Sequence, residues 1–197
     1  MRLAKSIASK RLLCVVIFLV TQTLNVSAQA APDWRARVAE SMPLMGHRNW
    51  ILIVDSAYPL QTSPGIETIE TNAGQLEVIR HVLHTIEGSI HVRPLIYMDA
   101  ELPFVPDEDA PGVSVYRTDI HGLLANYNVE LIPHDKVIAD IDDAGKTFHI
   151  LVLKTNLTIP YTSVFIRLDC KYWSAESEAE LRVTMKRVGH AASAHSR

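Results

Sequence analysis

The sequence predicts an α/β layered domain, with a mostly parallel central sheet flanked by helices. Apolar runs typical of buried strands alternate along the chain with amphipathic helical segments. The clearest run, Trp50–Val54, is unbroken and rich in β-branched residues, which suits a strand covered on both faces. The chain has 197 residues, 48% of them hydrophobic and 21% charged, enough for one domain of moderate size.

The first thirty residues have the layout of a secretory signal peptide. Basic residues come first, residues 12–20 form an apolar core, and small residues offer cleavage sites after Ala28 and Ala30. The alternative is a membrane anchor, but this core is short against about 30 Å of hydrocarbon. We therefore predict that residues 1–30 are removed. The mature protein is then secreted or periplasmic, without stable membrane insertion.

Removal of this leader makes the chain more acidic. It leaves 15 basic and 22 acidic residues, a net charge of −7, which argues against nucleic acid as a partner. Cys170 becomes the only cysteine, so no intrachain disulfide can form. A hydrophobic core or an oligomer must then supply the stability of an exported protein.

Predicted elements of the first half follow from capping and periodicity. Asp33 caps a helix over residues 33–41, and the alternating segment 66–71 is a short strand. Asn72 caps a helix over residues 74–88, whose apolar stripe repeats every three to four residues. A strand over residues 90–98 follows, although Pro94 is disfavoured inside a strand. Residues 100–114, rich in proline and acids, form a long loop of the kind that serves as a lid or subunit contact.

The second half continues the alternation. We predict a helix over residues 118–126, a strand at 129–132, and a helix from Pro133 to Ala144 that ends at Gly145. Strands follow at residues 147–154 and 164–168. Residues 31–173 therefore form the domain, and residues 174–197 form a charged helical tail.

Two polar residues bracket the first strand. His47 follows Gly46 just before it, and Asp55 stands where it ends. An acid at the carboxyl end of such a strand lies where open α/β sheets bind ligands. His47 taken alone is more simply a turn residue. The two lie about 25 Å apart along an extended chain. They share a site only if loops fold back or a second subunit supplies one of them.

Other candidates are weaker one by one. His134 follows Pro133 at a helix start, and Tyr161 follows Pro160 between two strands; each also fits a plain structural role. A zinc site formed by three histidines at positions 81, 84 and 91 is a further alternative, although a solvated helix face explains them better. Asn156-Leu157-Thr158 matches a glycosylation sequon, a triplet that arises easily by chance.

Together these residues form a recognisable pattern. The Met45-Gly46-His47 triplet, Asp55 eight residues after the histidine and Pro59 four after the aspartate resemble the opening motif of the ribose pyranase and fucose mutarotase family. His134 resembles the second histidine of the ribose pyranase branch. Pro160-Tyr161 before the last strand resembles that family's tyrosine motif. The resemblance covers roughly residues 34–173.

This resemblance implies both an activity and a site. Members interconvert ring forms or anomers of a free monosaccharide by general acid–base catalysis, without cofactor or metal, in ring-shaped homo-oligomers with sites between subunits. It implies catalytic roles for His47, Asp55, His134 and Tyr161. The positions that would hold the sugar depart from the family pattern in part: Asn49, Ser56, Asn156 and Ser163. The alternative function is a non-catalytic exported sugar-binding or structural oligomer.

Overall fold

A computed structural model describes residues 33–194, with the side chains of the last helix described through residue 187. The predicted leader and its cleavage sites lie outside the described residues. Within the described part, no helix is long and apolar enough to cross a membrane. These described residues form six strands and five α-helices. The helices are α1 (Trp34–Ser41), α2 (Gln75–Gly88), α3 (Val113–Leu123), α4 (His134–Ala144) and α5 (Ala175–Ala194).

The strands form one sheet in the order β2-β5-β1-β6-β3-β4. Their bounds are β1 (Trp50–Val54), β2 (Ile66–Glu70), β3 (Val92–Asp99), β4 (Val129–Ile132), β5 (Ile150–Lys154) and β6 (Val164–Cys170). All lie parallel except β6, which runs antiparallel between β1 and β3. The predicted α/β class with a mostly parallel sheet is therefore confirmed.

Alternation along β1 divides the core into two layers. Ile51 and Ile53 face the larger layer, which includes apolar side chains of α1, α2 and α3. Trp50, Leu52 and Val54 face the smaller layer, where they meet α4. All five residues of the strand are buried. The continuous apolar run is thus explained by a strand with a layer on each face.

Pro94 lies inside β3 because the strand has a partner on only one side at that point. β6 pairs with β3 from Val92 to Met98, whereas β4 pairs only with the last four residues, Ile96 to Asp99. A proline lacks the N–H that a neighbouring strand would accept, and here no neighbour on the β4 side requires it. Pro94 is therefore compatible with strand β3.

Several predicted boundaries were wrong; β5, for example, begins at Ile150 rather than at residue 147. Helix α3 begins at Val113 rather than residue 118, because Val113, Tyr116 and Ile120 form a buried stripe at helical spacing. The carboxylate of Asp107 accepts a hydrogen bond from the Ser114 N–H at 3.2 Å, which satisfies a free donor of the first turn. The predicted cap of α2 was also wrong: Gly74, not Asn72, precedes the helix.

Candidate functional site

The carboxyl ends of the parallel strands gather several polar side chains. Asp55 follows β1 and Asp99 ends β3. His134 opens α4 just after β4, and the loop holding Tyr161 leads into β6, whose start lies between the ends of β1 and β3. Three of the four predicted catalytic residues, Asp55, His134 and Tyr161, thus lie at one edge of the sheet.

His134 is held from two sides. Its ring Nδ1 lies 3.0 Å from Oδ1 of Asp99. Its backbone N–H donates to both carboxylate oxygens of Glu101, at 3.0 and 3.1 Å. An acid at the first turn of a helix is favoured by the helix dipole and by the free N–H groups there. The end of β3 therefore fixes both the backbone and the ring of His134.

Tyr161 packs against this histidine. The two rings meet edge to face, with centroids 5.5 Å apart and planes at 87°. The backbone of Tyr161 is in the left-handed region, with φ of 57°, a conformation that is costly for a residue with a side chain. The surrounding structure must therefore hold this loop in place.

The next residue, Thr162, fixes the loop through hydrogen bonds to its carbonyl. Its buried carbonyl accepts hydrogen bonds from Gln75 Nε2 at 2.6 Å and from the Tyr116 hydroxyl at 3.1 Å. Gln75 and Tyr116 are themselves buried on α2 and α3. Two helices of the larger layer thus fix the loop that presents Tyr161.

Asp99 is the most buried acid of the site, with 0% of its surface exposed. Burial raises its pKa, the nearby charges of Glu101 and Asp55 add to that effect, and the hydrogen bond from His134 opposes it. Asp55 itself closes a turn, accepting a hydrogen bond from the Ala57 N–H at 2.7 Å.

His47 lies at the opposite edge of the sheet. Its Nδ1 is 3.2 Å from Oδ1 of Asp169, near the end of β6. The other oxygen of Asp169 accepts two hydrogen bonds from Arg93, at 2.9 and 2.7 Å. Partial burial acts to raise the pKa of Asp169, but the hydrogen bonds from Arg93, the Cys170 N–H and His47 outweigh it and lower the pKa.

The loops do not fold back to join the two edges. His47 and Asp55 therefore remain at opposite ends of β1 within one chain. Asn49 lies on the His47 side, where its amide accepts from the Gly46 N–H at 2.7 Å and donates to the His149 carbonyl at 3.1 Å. Those bonds brace the turn that carries His47.

The remaining predicted sugar-binding residues lie at the carboxyl edge, in different settings. Ser56 and Asn156 are exposed there, and their segments are joined by a hydrogen bond from the Ser56 N–H to the Leu157 carbonyl at 2.9 Å. Ser163 is 2% exposed and lies within the protein.

The histidines at positions 81, 84 and 91 do not gather. His81 packs edge-on against Trp34, and His91 uses both ring nitrogens on Ser89 and the Met45 carbonyl. Among residues 33–194, no three His, Cys, Asp or Glu side chains are grouped as metal ligands.

Sequence reasoning missed several residues that shape the site, among them Asp99, Glu101 and Gln75. Asp99 carries the same signal as Asp55, an acid at the carboxyl end of a buried strand. That signal could have identified it. Glu101 and Gln75 give no such signal, because their roles depend on contacts with residues far away in the chain.

The fold was compared with solved structures. Bacillus subtilis RbsD in complex with D-ribose is 16% identical, with a TM-score of 0.48, over 67% of this chain and 90% of that chain. A fucose mutarotase from Streptococcus pneumoniae in complex with L-fucose is 17% identical, with a TM-score of 0.44, over 71% and 96%. FucU from Bifidobacterium longum is 14% identical, with a TM-score of 0.42, over 67% and 92%.

These three proteins carry the names of the family that the sequence motifs resemble. At these identities and TM-scores, the likeness supports no statement about the activity of this chain. No family model matches the sequence, and no curated protein matches it.

Proposed function

We propose that the protein is a mutarotase- or pyranase-like isomerase acting on a free monosaccharide. One observation carries the proposal: Asp55, His134 and Tyr161, which are widely separated in the chain, converge at the carboxyl edge of the sheet. A histidine, a carboxylate and a phenol are groups that can exchange protons with, or bind, sugar hydroxyls.

The reaction needs only proton transfers. A base removes the proton of the anomeric hydroxyl while an acid protonates the ring oxygen, so the ring C–O bond breaks and an open-chain aldehyde forms. The carbonyl turns, and the reverse transfers close the ring on the other face or through another hydroxyl. Histidine suits this chemistry because its reference pKa of about 6.5 lies near neutrality.

His47 enters the site from a second copy of the chain in this proposal. The sheet separates it from Asp55 within one chain, so a head-to-tail contact between opposite edges would unite them. Large apolar side chains are exposed at both edges, which supports such a contact: Leu44 (89%), Ile90 (87%) and Tyr172 (78%) on the His47 side, and Phe104 (84%) on the other. A heterologous contact of this kind repeats into a ring when its rotation closes.

Anomer exchange measured by saturation-transfer NMR on D-ribose and L-fucose tests the activity. We expect His47→Ala and His134→Ala each to lower the exchange rate by about 10²-fold or more, the usual contribution of general acid–base catalysis. His84→Ala, on an exposed face of α2, is the matched control. Full activity in His47→Ala would overturn the assignment. Sugar binding by the wild type without faster exchange would favour a binding protein.

Mixing the two inactive variants tests the shared site. In a head-to-tail ring, each site takes His47 from one copy and His134 from its neighbour, so re-assembly of an equal mixture should restore roughly a quarter of the sites. A site made within one chain would recover nothing on mixing.

A further inference from the structure

We propose that Asp99 is a positioning residue that holds the Nδ1 proton of His134 and so leaves Nε2 to exchange protons with substrate. The inference deepens the proposed function and rests on it for the identity of the reaction. It rests on the structure alone for the state of the histidine.

The contact itself favours one tautomer. When Asp99 is ionised, its carboxylate only accepts hydrogen bonds, so the Asp99–His134 contact of 3.0 Å then places the proton on Nδ1. Neutral His134 then carries its lone pair on Nε2. Carboxylate partners of this kind fix the tautomer and ring direction of functional histidines elsewhere.

The other nitrogen is left free to act. Nε2 of His134 has no hydrogen-bond partner among the described residues, and 36% of the side chain is exposed. The ring cannot swing freely, because Tyr161 packs on it edge to face and Glu101 holds its backbone. A fixed ring with one open nitrogen at the site edge is the geometry that proton transfer needs.

Asp99 is also energetically unfavourable at its buried position. It is fully buried, and its second oxygen, Oδ2, has no partner within the described part of the chain. A buried charge with an unsatisfied oxygen destabilises a fold, and an amide would fill the same space without the charge. Such a local cost is typical of groups kept for chemistry rather than for packing.

The state of His134 can be measured without any substrate. The ¹⁵N chemical shifts of its ring, in the full chain at a pH where it is neutral, report which nitrogen carries the proton. We expect Nδ1–H in the wild type and a mixture of tautomers in Asp99→Asn, because an amide can donate as well as accept. An Nε2–H form in the wild type, or the same tautomer distribution in both proteins, would overturn the proposal.

Stability separates this role from a structural one. Because burial raises the pKa of Asp99, the folded state binds a proton on this carboxyl more tightly than the unfolded chain does. Stability therefore falls as pH rises from the pKa of this carboxyl in the unfolded chain to its higher pKa in the folded state. Asp99→Asn should therefore resist urea better than the wild type at pH 7, with the gain disappearing in acid. A purely structural acid would instead lose stability on substitution.

Kinetics complete the test. In the exchange assay with D-ribose and L-fucose, Asp99→Asn should lose about 10²-fold in kcat with little change in KM, since Asp99 is 0% exposed and offers a sugar no surface to contact. Asp119→Asn, an exposed acid on α3, should behave as wild type. Unchanged kcat in Asp99→Asn contradicts the positioning role. A wild type inactive on both sugars defeats the proposed function, while the tautomer measurement still decides the role of Asp99.

Discussion

The stability of the fold depends on pH through His81, which packs against the first helix of the domain. Its ring meets Trp34 edge-on at 5.0 Å, and its buried Nε2 has no hydrogen-bond partner among the described residues. Burial lowers the pKa of His81, with the charges of Arg35 and His84 adding to the effect. The folded state therefore binds this proton less tightly than the unfolded chain does.

We predict that stability falls as pH drops below about 6.5, where the unfolded chain gains a proton that folded His81 resists. His81→Phe keeps the aromatic contact with Trp34 but cannot titrate, so it should flatten this part of the curve. Urea unfolding at pH 7.5 and pH 5.5 measures the difference. His121→Ala, which removes an exposed histidine on α3, should leave the slope near that of wild type. An unchanged slope in His81→Phe would refute the explanation.

At the scale of elements, strand β2 depends on one glycine. A Cβ added at Gly65 would lie 2.6 Å from each of two backbone oxygens, those of Gly145 and Phe148. The Gly65 carbonyl also accepts the Ile150 N–H at 2.8 Å. The close approach of β2 to the turn between α4 and β5 therefore requires a residue without a side chain.

Gly65→Ala should cost about 1–3 kcal/mol of unfolding free energy, the usual range for overpacking, because backbone on both sides cannot move aside cheaply. Gly88→Ala is the matched control, since an added Cβ there meets nothing within 4 Å. Chemical denaturation of both variants measures the contrast. Equal stability of Gly65→Ala and Gly88→Ala would show that the backbone of this turn shifts at little cost in free energy.

Element types were largely predictable, and their limits were less so. The six strands follow from apolar runs and alternation, and α4 follows from Pro133 and Gly145 at its two ends. The start of α3 was missed because a proline-rich, acidic stretch reads as a loop. Only the packed structure shows that Val113 and Tyr116 face the core.

At the scale of the whole molecule, the last helix contributes little to the fold. No side chain of α5 described through residue 187 is buried, and Leu181, Val183 and Met185 are exposed. We predict that removing residues 175–197 changes the thermal midpoint by less than about 2 °C, since little apolar surface leaves water when this helix folds. Calorimetry with and without the segment tests this. A large drop, or a smaller assembly by light scattering, would show that α5 is covered by another copy.

The sequence by itself determined the α/β class, the positions of the strands and the motif residues His47, Asp55, His134 and Tyr161. These follow from local periodicity and from the order of residue types along the chain. The tertiary structure alone decided which residues meet, because strand order brings β1, β6 and β3 side by side and no local pattern encodes that order. It placed Asp99 against His134 and left His47 at the far edge of the sheet.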